Sequence, residues 1–160
     1  MDNAKQNDVS YPKEGPSGIG GWLILHAIAL VVQPFMSLKF IVNTYKYIGS
    51  AHFLKVAQHF KSYYAFSWFT IIACVVLITF LIYVAIQFFN KKKNTPKLYV
   101  ALILSFTCFA LTKFIWTMVE GSPFGFRLMQ VTGLLPSIGS CAIWIPYFIV
   151  SKRVKNTFVN

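Results

Sequence analysis

Acidic residues are almost missing from this chain. It has four, and Asp2, Asp8 and Glu14 lie in the N-terminal tail, so Glu120 is the sole carboxylate side chain beyond it. That excludes a carboxylate-rich active site, and no Ser–His–Asp set can be assembled. Cysteine is sparse too. Cys74, Cys108 and Cys141 fall within apolar runs without CxxC spacing, which suits small packing residues better than a disulfide framework or a redox pair. His52 and His59 stand seven residues apart, roughly 10 Å along a helix, with no Asp, Glu or Cys nearby, so no metal site is expected. Gly18, Gly20 and Gly21 lead into an apolar run and do not follow a strand, so they are not a phosphate-cradling loop. No cofactor and no catalytic residue follow from such a set. Charge as a whole is scarce, at 12% of residues against about a quarter in soluble domains.

What the chain has is apolar length. Hydrophobic residues make up 56% and aromatics 18%. They gather in four runs, 19–42, 64–89, 98–119 and 128–150. Crossing the hydrocarbon core takes about 20 mostly apolar residues in a helix, and each run reaches that length. The second run has only Thr70, Thr79, Tyr83 and Gln87 as polar breaks after Phe69, so it lacks the polar stripe of a water-soluble bundle helix. The short alternating segments of a β-barrel are absent. The expected fold is all-α: a polytopic membrane protein with four transmembrane helices spanning 18–151, a flexible cytoplasmic tail at 1–17 and a basic cytoplasmic tail at 152–160. The first run is too long for the core of a cleaved signal and reads as an uncleaved anchor. No internal repeat of the kind found in inverted-repeat transporters is visible.

The net charge of +11 would suggest nucleic acid in a soluble protein. Here the basic residues flank the apolar runs, where membrane proteins carry them, so no nucleic acid is expected. With four spans, the N-terminus, the 90–97 turn and the C-terminus share one side. That side holds Lys5, Lys13, Lys91, Lys92, Lys93, Lys97, Lys152, Arg153 and Lys155, against Lys39, Lys46, Lys55, Lys61 and Arg127 on the other. The positive-inside rule therefore puts both termini in the cytoplasm. Lys91, Lys92, Lys93, Lys152, Arg153 and Lys155 orient the chain or meet anionic head groups. The 43–63 loop is long for a bare connection. Across 50–61, Phe53, Leu54, Ala57 and Phe60 share one helical face and His52, Lys55 and His59 the other. Such a basic amphipathic helix is expected to lie in the membrane interface, as a lid or docking surface or as a passive linker.

Two motifs sit at the ends of the hydrophobic region. Gly20-Gly21-Trp22-Leu23 opens the first run. Ile143-Trp144-Ile145-Pro146-Tyr147-Phe148, followed by Ser151-Lys152-Arg153-Val154-Lys155-Asn156-Thr157-Phe158-Val159, closes the last. This pairing resembles the bacterial inner-membrane family called domain of unknown function 2569, with the four-span pattern fitting from about Gly18 to Val159. The resemblance implies a bacterial inner-membrane location and no particular activity. Physically, the two glycines permit close backbone approach, and Trp22 and Tyr147 suit the water–lipid boundary. Pro146 deprives the Ala142 carbonyl of its helical donor and favours a kink.

Polar residues within spans are functional candidates by default. Lys113 lies roughly 9 Å inside the outer end of the third run, and its side chain leans inward. Glu120 is expected to receive a cation, either Lys113 or Arg127, at the outer mouth. Such a polar pocket would bind an anionic group or a partner subunit. His26, Leu30 and Gln33 share a face of the first helix near the carbonyl freed by Pro34, and hydrogen-bonded packing is expected of them. A proton relay would also need an intramembrane carboxylate. Gly133, Ser137 and Cys141 form a small-residue seam for packing within the bundle.

The expected function is a non-enzymatic interaction partner or regulatory subunit of a membrane complex, with the lipid bilayer and another membrane protein as partners. A small oligomeric transporter or channel is the alternative, and it requires His26, Gln33 and Lys113 to converge on one cavity. A membrane enzyme acting on lipid is the third reading, resting on Glu120, His52 or His59.

Overall fold

The computed structural model describes residues 18–59, 61–120 and 124–159, with the side chains at 52, 56, 59, 61, 124–127 and 129 left aside. The 1–17 tail, and the side chains of His52, His59, Phe60 and Arg127, therefore lie outside the described residues.

The chain is helical throughout: α1 (Trp22–Ile48), α2 (Ala51–His59), α3 (Lys61–Phe89), α4 (Thr95–Val119), α5 (Phe124–Val150) and α6 (Lys152–Thr157), with no strand among the described residues. Four of these, α1, α3, α4 and α5, are long and apolar enough to cross a membrane. The helices overrun the apolar runs that announce them, because polarity does not stop a helix. α1 continues through Thr44, Tyr45 and Lys46 to Ile48, with Gly49 as its C-cap. α4 begins at Thr95 with Pro96 in its first turn, a position that needs no N–H. α1 and α5 run on past Pro34, Pro136 and Pro146.

The α3–α4 turn is tightly closed. Lys91 takes a left-handed conformation (φ 53°), which costs a non-glycine residue roughly 1–2 kcal/mol. In return, the Lys92 N–H donates to the Gln87 carbonyl at 3.1 Å and the Lys91 N–H to Phe88 at 3.1 Å. The buried Thr95 hydroxyl donates to the same Gln87 carbonyl at 2.9 Å. The carbonyls left over at the end of α3 thus find donors.

α1 packs on α3, α3 on α4 and α4 on α5, while α1 and α5 are not among the closely packed pairs. The arrangement is a row of helices bent round on itself, with a seam between its first and last members. Buried side chains gather at the end that carries both termini: Leu23, Leu81, Val84, Phe88, Tyr99, Phe148, Val154 and Phe158 belong to one cluster. The outward surface is apolar. Ile72, Val76, Phe35 and Ile143 are each more than half exposed, as expected where lipid, not protein, is the neighbour.

At the far end, α2 bridges α1 and α3. The Ser50 hydroxyl accepts the Phe53 N–H at 3.2 Å, an N-terminal cap. The expected apolar face divides. Phe53 is fully buried and lies 5.4 Å from the Tyr47 ring, 5.6 Å from Tyr63 and 6.1 Å from Tyr64. Leu54, one step round the helix, is 52% exposed. Among the described side chains of α2, Phe53 alone is fully buried, with Ala57 half-buried one turn on.

Candidate functional site

The two terminal motifs, far apart in sequence, meet in space. Gly21 adopts a left-handed backbone (φ 56°) just ahead of α1. The Arg153 guanidinium lies against the Gly20–Gly21 backbone, so close that a Cβ on Gly20 would stand 2.5 Å from its Nη1. Glycine is used here for approach at one residue and for backbone angle at the next. The Thr157 hydroxyl donates to the Gly18 carbonyl at 3.1 Å and to the Arg153 carbonyl at 2.8 Å. Val154 and Phe158 are buried, with the Phe158 ring 5.3 Å from Phe88. α6 is thereby folded back onto the start of α1 and the end of α3.

Just inside this lock stands His26. It is 3% exposed, and its Nδ1 donates to the Trp22 carbonyl at 2.9 Å. A carbonyl only accepts, so Nδ1 carries the proton and the neutral ring's Nε2 is left as an acceptor. Nε2 is buried without a partner. Aromatic rings surround it: Trp144 at 4.3 Å and Phe148 at 5.0 Å edge-on, Tyr99 at 5.2 Å edge-on, Tyr147 at 6.0 Å nearly parallel. Tyr99 in turn stacks on Phe148 at 4.4 Å. Trp22 is 62% exposed and 6.0 Å from Trp144, and the Tyr147 ring packs against His26.

Above this box a cleft of about 320 Å³ opens among the four spanning helices, lined by Leu30 and Gln33 of α1, Leu81 of α3, Tyr99 and Phe106 of α4 and Ser140 of α5, among others. Among the described residues, Gln33, Tyr99 and Ser140 form no side-chain hydrogen bond. The α4–α5 contact beside the cleft is polar at one point: Thr107 Oγ1 lies 3.1 Å from Cys141 Sγ and 3.4 Å from the Ser137 carbonyl. Ser137 and Cys141 thus meet α4 as a packing seam, whereas Gly133 has open space where a Cβ would stand. The expected three-residue seam is shortened to two.

Lys113 stands apart, on the half of the bundle away from the termini. Its ammonium lies 5.0 Å from the Phe40 ring centroid and 5.7 Å from Phe109. Among the described residues no ion pair joins it to Glu120, which instead accepts a hydrogen bond from Ser62 at 2.7 Å. The expectation of a Lys113–Glu120 pair is corrected by geometry: seven helical residues separate them by roughly 10 Å, and two aromatic faces offer the cation a nearer partner. The structure therefore brings together only part of the predicted set. Gln33 lines the cleft, His26 sits in the box beneath it, and Lys113 faces Phe40. The convergence required by the transport reading does not occur.

Sequence reasoning missed Tyr99, which joins box and cleft, and it missed the contact between Arg153 and Gly20–Gly21. The signal for the second was present: two specific motifs at opposite chain ends are most simply explained by mutual contact. Nothing in the local sequence distinguished Tyr99 from the other tyrosines.

These features define a polytopic helical membrane protein whose terminal motifs lock to each other at one end of the bundle. Over residues 16–159 the chain matches the family described as protein of unknown function DUF2569, and it belongs to that family. It is similar to Inner membrane protein YdgK of Escherichia coli (strain K12), with 27% identity over 147 residues that cover 91% of this chain and 96% of that protein. No solved structure matches the chain.

Proposed function

We propose that this protein is a non-enzymatic component of the bacterial inner membrane, with both termini in the cytoplasm, which serves as a partner or regulatory subunit of another membrane protein. The observation that carries the reading is how the family motifs are used. Gly20, Gly21, Arg153, Val154, Thr157 and Phe158 hold α6 against the start of α1 and the end of α3. The lock fixes Lys152 and Lys155 as exposed cations at the same end as exposed Lys91, Lys92 and Lys93 of the α3–α4 turn. The result is a rigid basic face at the membrane surface, a shape suited to an acidic partner surface and to anionic head groups. The excess of lysine and arginine at this end supports its cytoplasmic placement, and the name of the Escherichia coli relative supports the inner membrane.

The test is crosslinking in cells at native expression level, purification in mild detergent and mass spectrometry of co-purifying proteins. A stoichiometric partner is expected, lost when Lys152 and Lys155 are changed to Glu but retained in Val159→Ala. A self-contained species in both would overturn the reading.

A further inference from the structure

The central cleft has the features of a ligand site. Its walls come from all four spanning helices, and it lies where α1 and α5, both lining it, fail to pack closely. A gap between two membrane-spanning helices is a route sideways from the bilayer. Gln33 and Pro136, which line it from α1 and α5, are exposed, as side chains at a rim are. The volume of about 320 Å³ sits at the small end of ligand pockets, enough for a ring or a glycerol-sized head with part of a chain.

The lining selects the chemistry. It contains no acid, lysine, arginine or histidine, so a phosphate or ammonium head would enter without a counter-charge, at high desolvation cost. A bare hydrocarbon chain fits no better, because three polar side chains would stay unpaired. Tyr99 is 8% exposed, and its hydroxyl has no hydrogen-bond partner among the described residues. Gln33 and Ser140 are likewise unpartnered. Leu30, also in the wall, has a carbonyl to which Pro34 can give no N–H. In hydrocarbon, groups of this kind are normally satisfied, so partner-free polar groups gathered along one cleft suit an occupant that can hydrogen-bond them. Donors (the amide of Gln33 and the hydroxyls of Tyr99 and Ser140) and acceptors stand together against the apolar walls of Leu81, Leu102 and Phe106.

We propose that this cleft binds an uncharged membrane lipid whose head carries carbonyl or hydroxyl groups, with the head among Gln33, Tyr99 and Ser140 and the tail leaving between α1 and α5. Two lipid sources share this chemistry: a quinone, with ring carbonyls, and a diacylglycerol, with a hydroxyl and ester carbonyls. None of the residues assigned to this site belongs to the basic face on which the partner reading rests.

The experiment uses the full chain in nanodiscs of zwitterionic lipid, titrated in separate arms with decylubiquinone and with dioctanoylglycerol, and read by native mass spectrometry. Saturable one-to-one binding of one probe is expected, and the arm in which it occurs identifies the source. Gln33→Leu and Ser140→Ala should each weaken it by about 2- to 10-fold, the loss of one neutral hydrogen bond. Ser140→Leu, which fills the cleft, should abolish it, while Lys113→Met, outside the cleft, should leave it unchanged. Thermal melts of each variant separate lost binding from lost folding. Failure of both probes to saturate, or binding indifferent to Gln33→Leu and Ser140→Leu in folded protein, would overturn the proposal. So would a photoreactive residue at position 33 that crosslinks a partner polypeptide instead of lipid. Partner retention by the basic face is read separately, so either idea can fail alone.

Discussion

Truncating Phe158 should release the C-terminal helix without unfolding the bundle. Phe158 is 4% exposed and packs 5.3 Å from Phe88, and with Val154 it supplies the apolar hold on α6. Phe→Ala in a core costs about 3–5 kcal/mol. The lower figure applies here, because a short terminal segment can relax around the gap. Three kcal/mol corresponds to roughly two orders of magnitude in the docked-to-released ratio. Trypsin reads that ratio. Lys152, Arg153 and Lys155 are its sites in α6, and a protease cleaves the opened segment at a rate set by the open population when reclosing is fast. Cleavage within α6 of Phe158→Ala should therefore rise by about 100-fold over the native chain, levelling off once the segment is mostly released. Val159→Ala, at a residue 48% exposed, should change it less than about twofold. The cleavage rate at Lys97 and the thermal midpoint of the bundle should hold. A rise of less than about threefold in Phe158→Ala would refute the reasoning, because the segment would then not be held by this ring.

Four other outcomes follow. In a background with Cys74, Cys108 and Cys141 replaced by alanine, a membrane-impermeant thiol reagent added to intact spheroplasts should label cysteine placed at Leu54 and not at Lys92. The reverse pattern would overturn the orientation. Thr95→Val removes a fully buried donor to the Gln87 carbonyl and should cost about 1–3 kcal/mol, read as a lowered thermal midpoint in detergent. Ser62→Ala removes the 2.7 Å donor to Glu120. In a part-exposed setting it should cost about 1–2 kcal/mol, with Glu120→Gln in the Ser62→Ala background adding little in the same melt. Lys113→Met exchanges a cation over Phe40 and Phe109 for a side chain of like shape. It should leave the midpoint nearly unchanged, since a cation–π contact of about 0.5–2 kcal/mol is offset by relief from burying charge, whereas Lys113→Glu should lower it clearly.

The fold was legible because crossing hydrocarbon imposes a one-dimensional rule. A run of about 20 apolar residues must be a helix, since no other open segment satisfies its own backbone in lipid. That rule placed α1, α3, α4 and α5 from residues 19–150 before any contact was known. It did not place their ends, because the helical backbone of α1 continues past the hydrocarbon to its C-cap at Gly49. Contacts between helices were harder, since lipid is as apolar as leucine and outward and inward faces look alike in sequence. The near-uniform hydrophobicity of α3 and α4 carries no face signal, which is why Tyr99 and the cleft went unseen. Charges were misread for the related reason that sequence supplies candidates without distances. Lys113 was one of two cations, with Arg127, expected to meet Glu120, while the aromatic rings that receive Lys113 were counted only as bulk.

One relation between the ends and the middle follows from the geometry. The lock at the termini joins the outermost helices of the row, since Trp22 and His26 of α1 meet Trp144, Tyr147 and Phe148 of α5 there. Farther along, the same two helices flank the cleft without packing closely. A row of helices pinned at one end and open along its length behaves as a clasp, with the spacing of its free edges set by the pin. His26 is the centre of that pin, and its unpaired Nε2 leaves no polar contact to oppose a small shift of the rings around it. Tyr99 belongs to both regions, stacked on Phe148 below and lining the cleft above. Movement of the basic tail can therefore be transmitted to the cleft through a single packed chain, Phe158 to Phe88 to Tyr99. On this geometry Phe158→Ala, which frees the tail, should also change the affinity of the cleft for the proposed neutral lipid. Binding that is identical in the native chain and in Phe158→Ala would show that pin and cleft act independently.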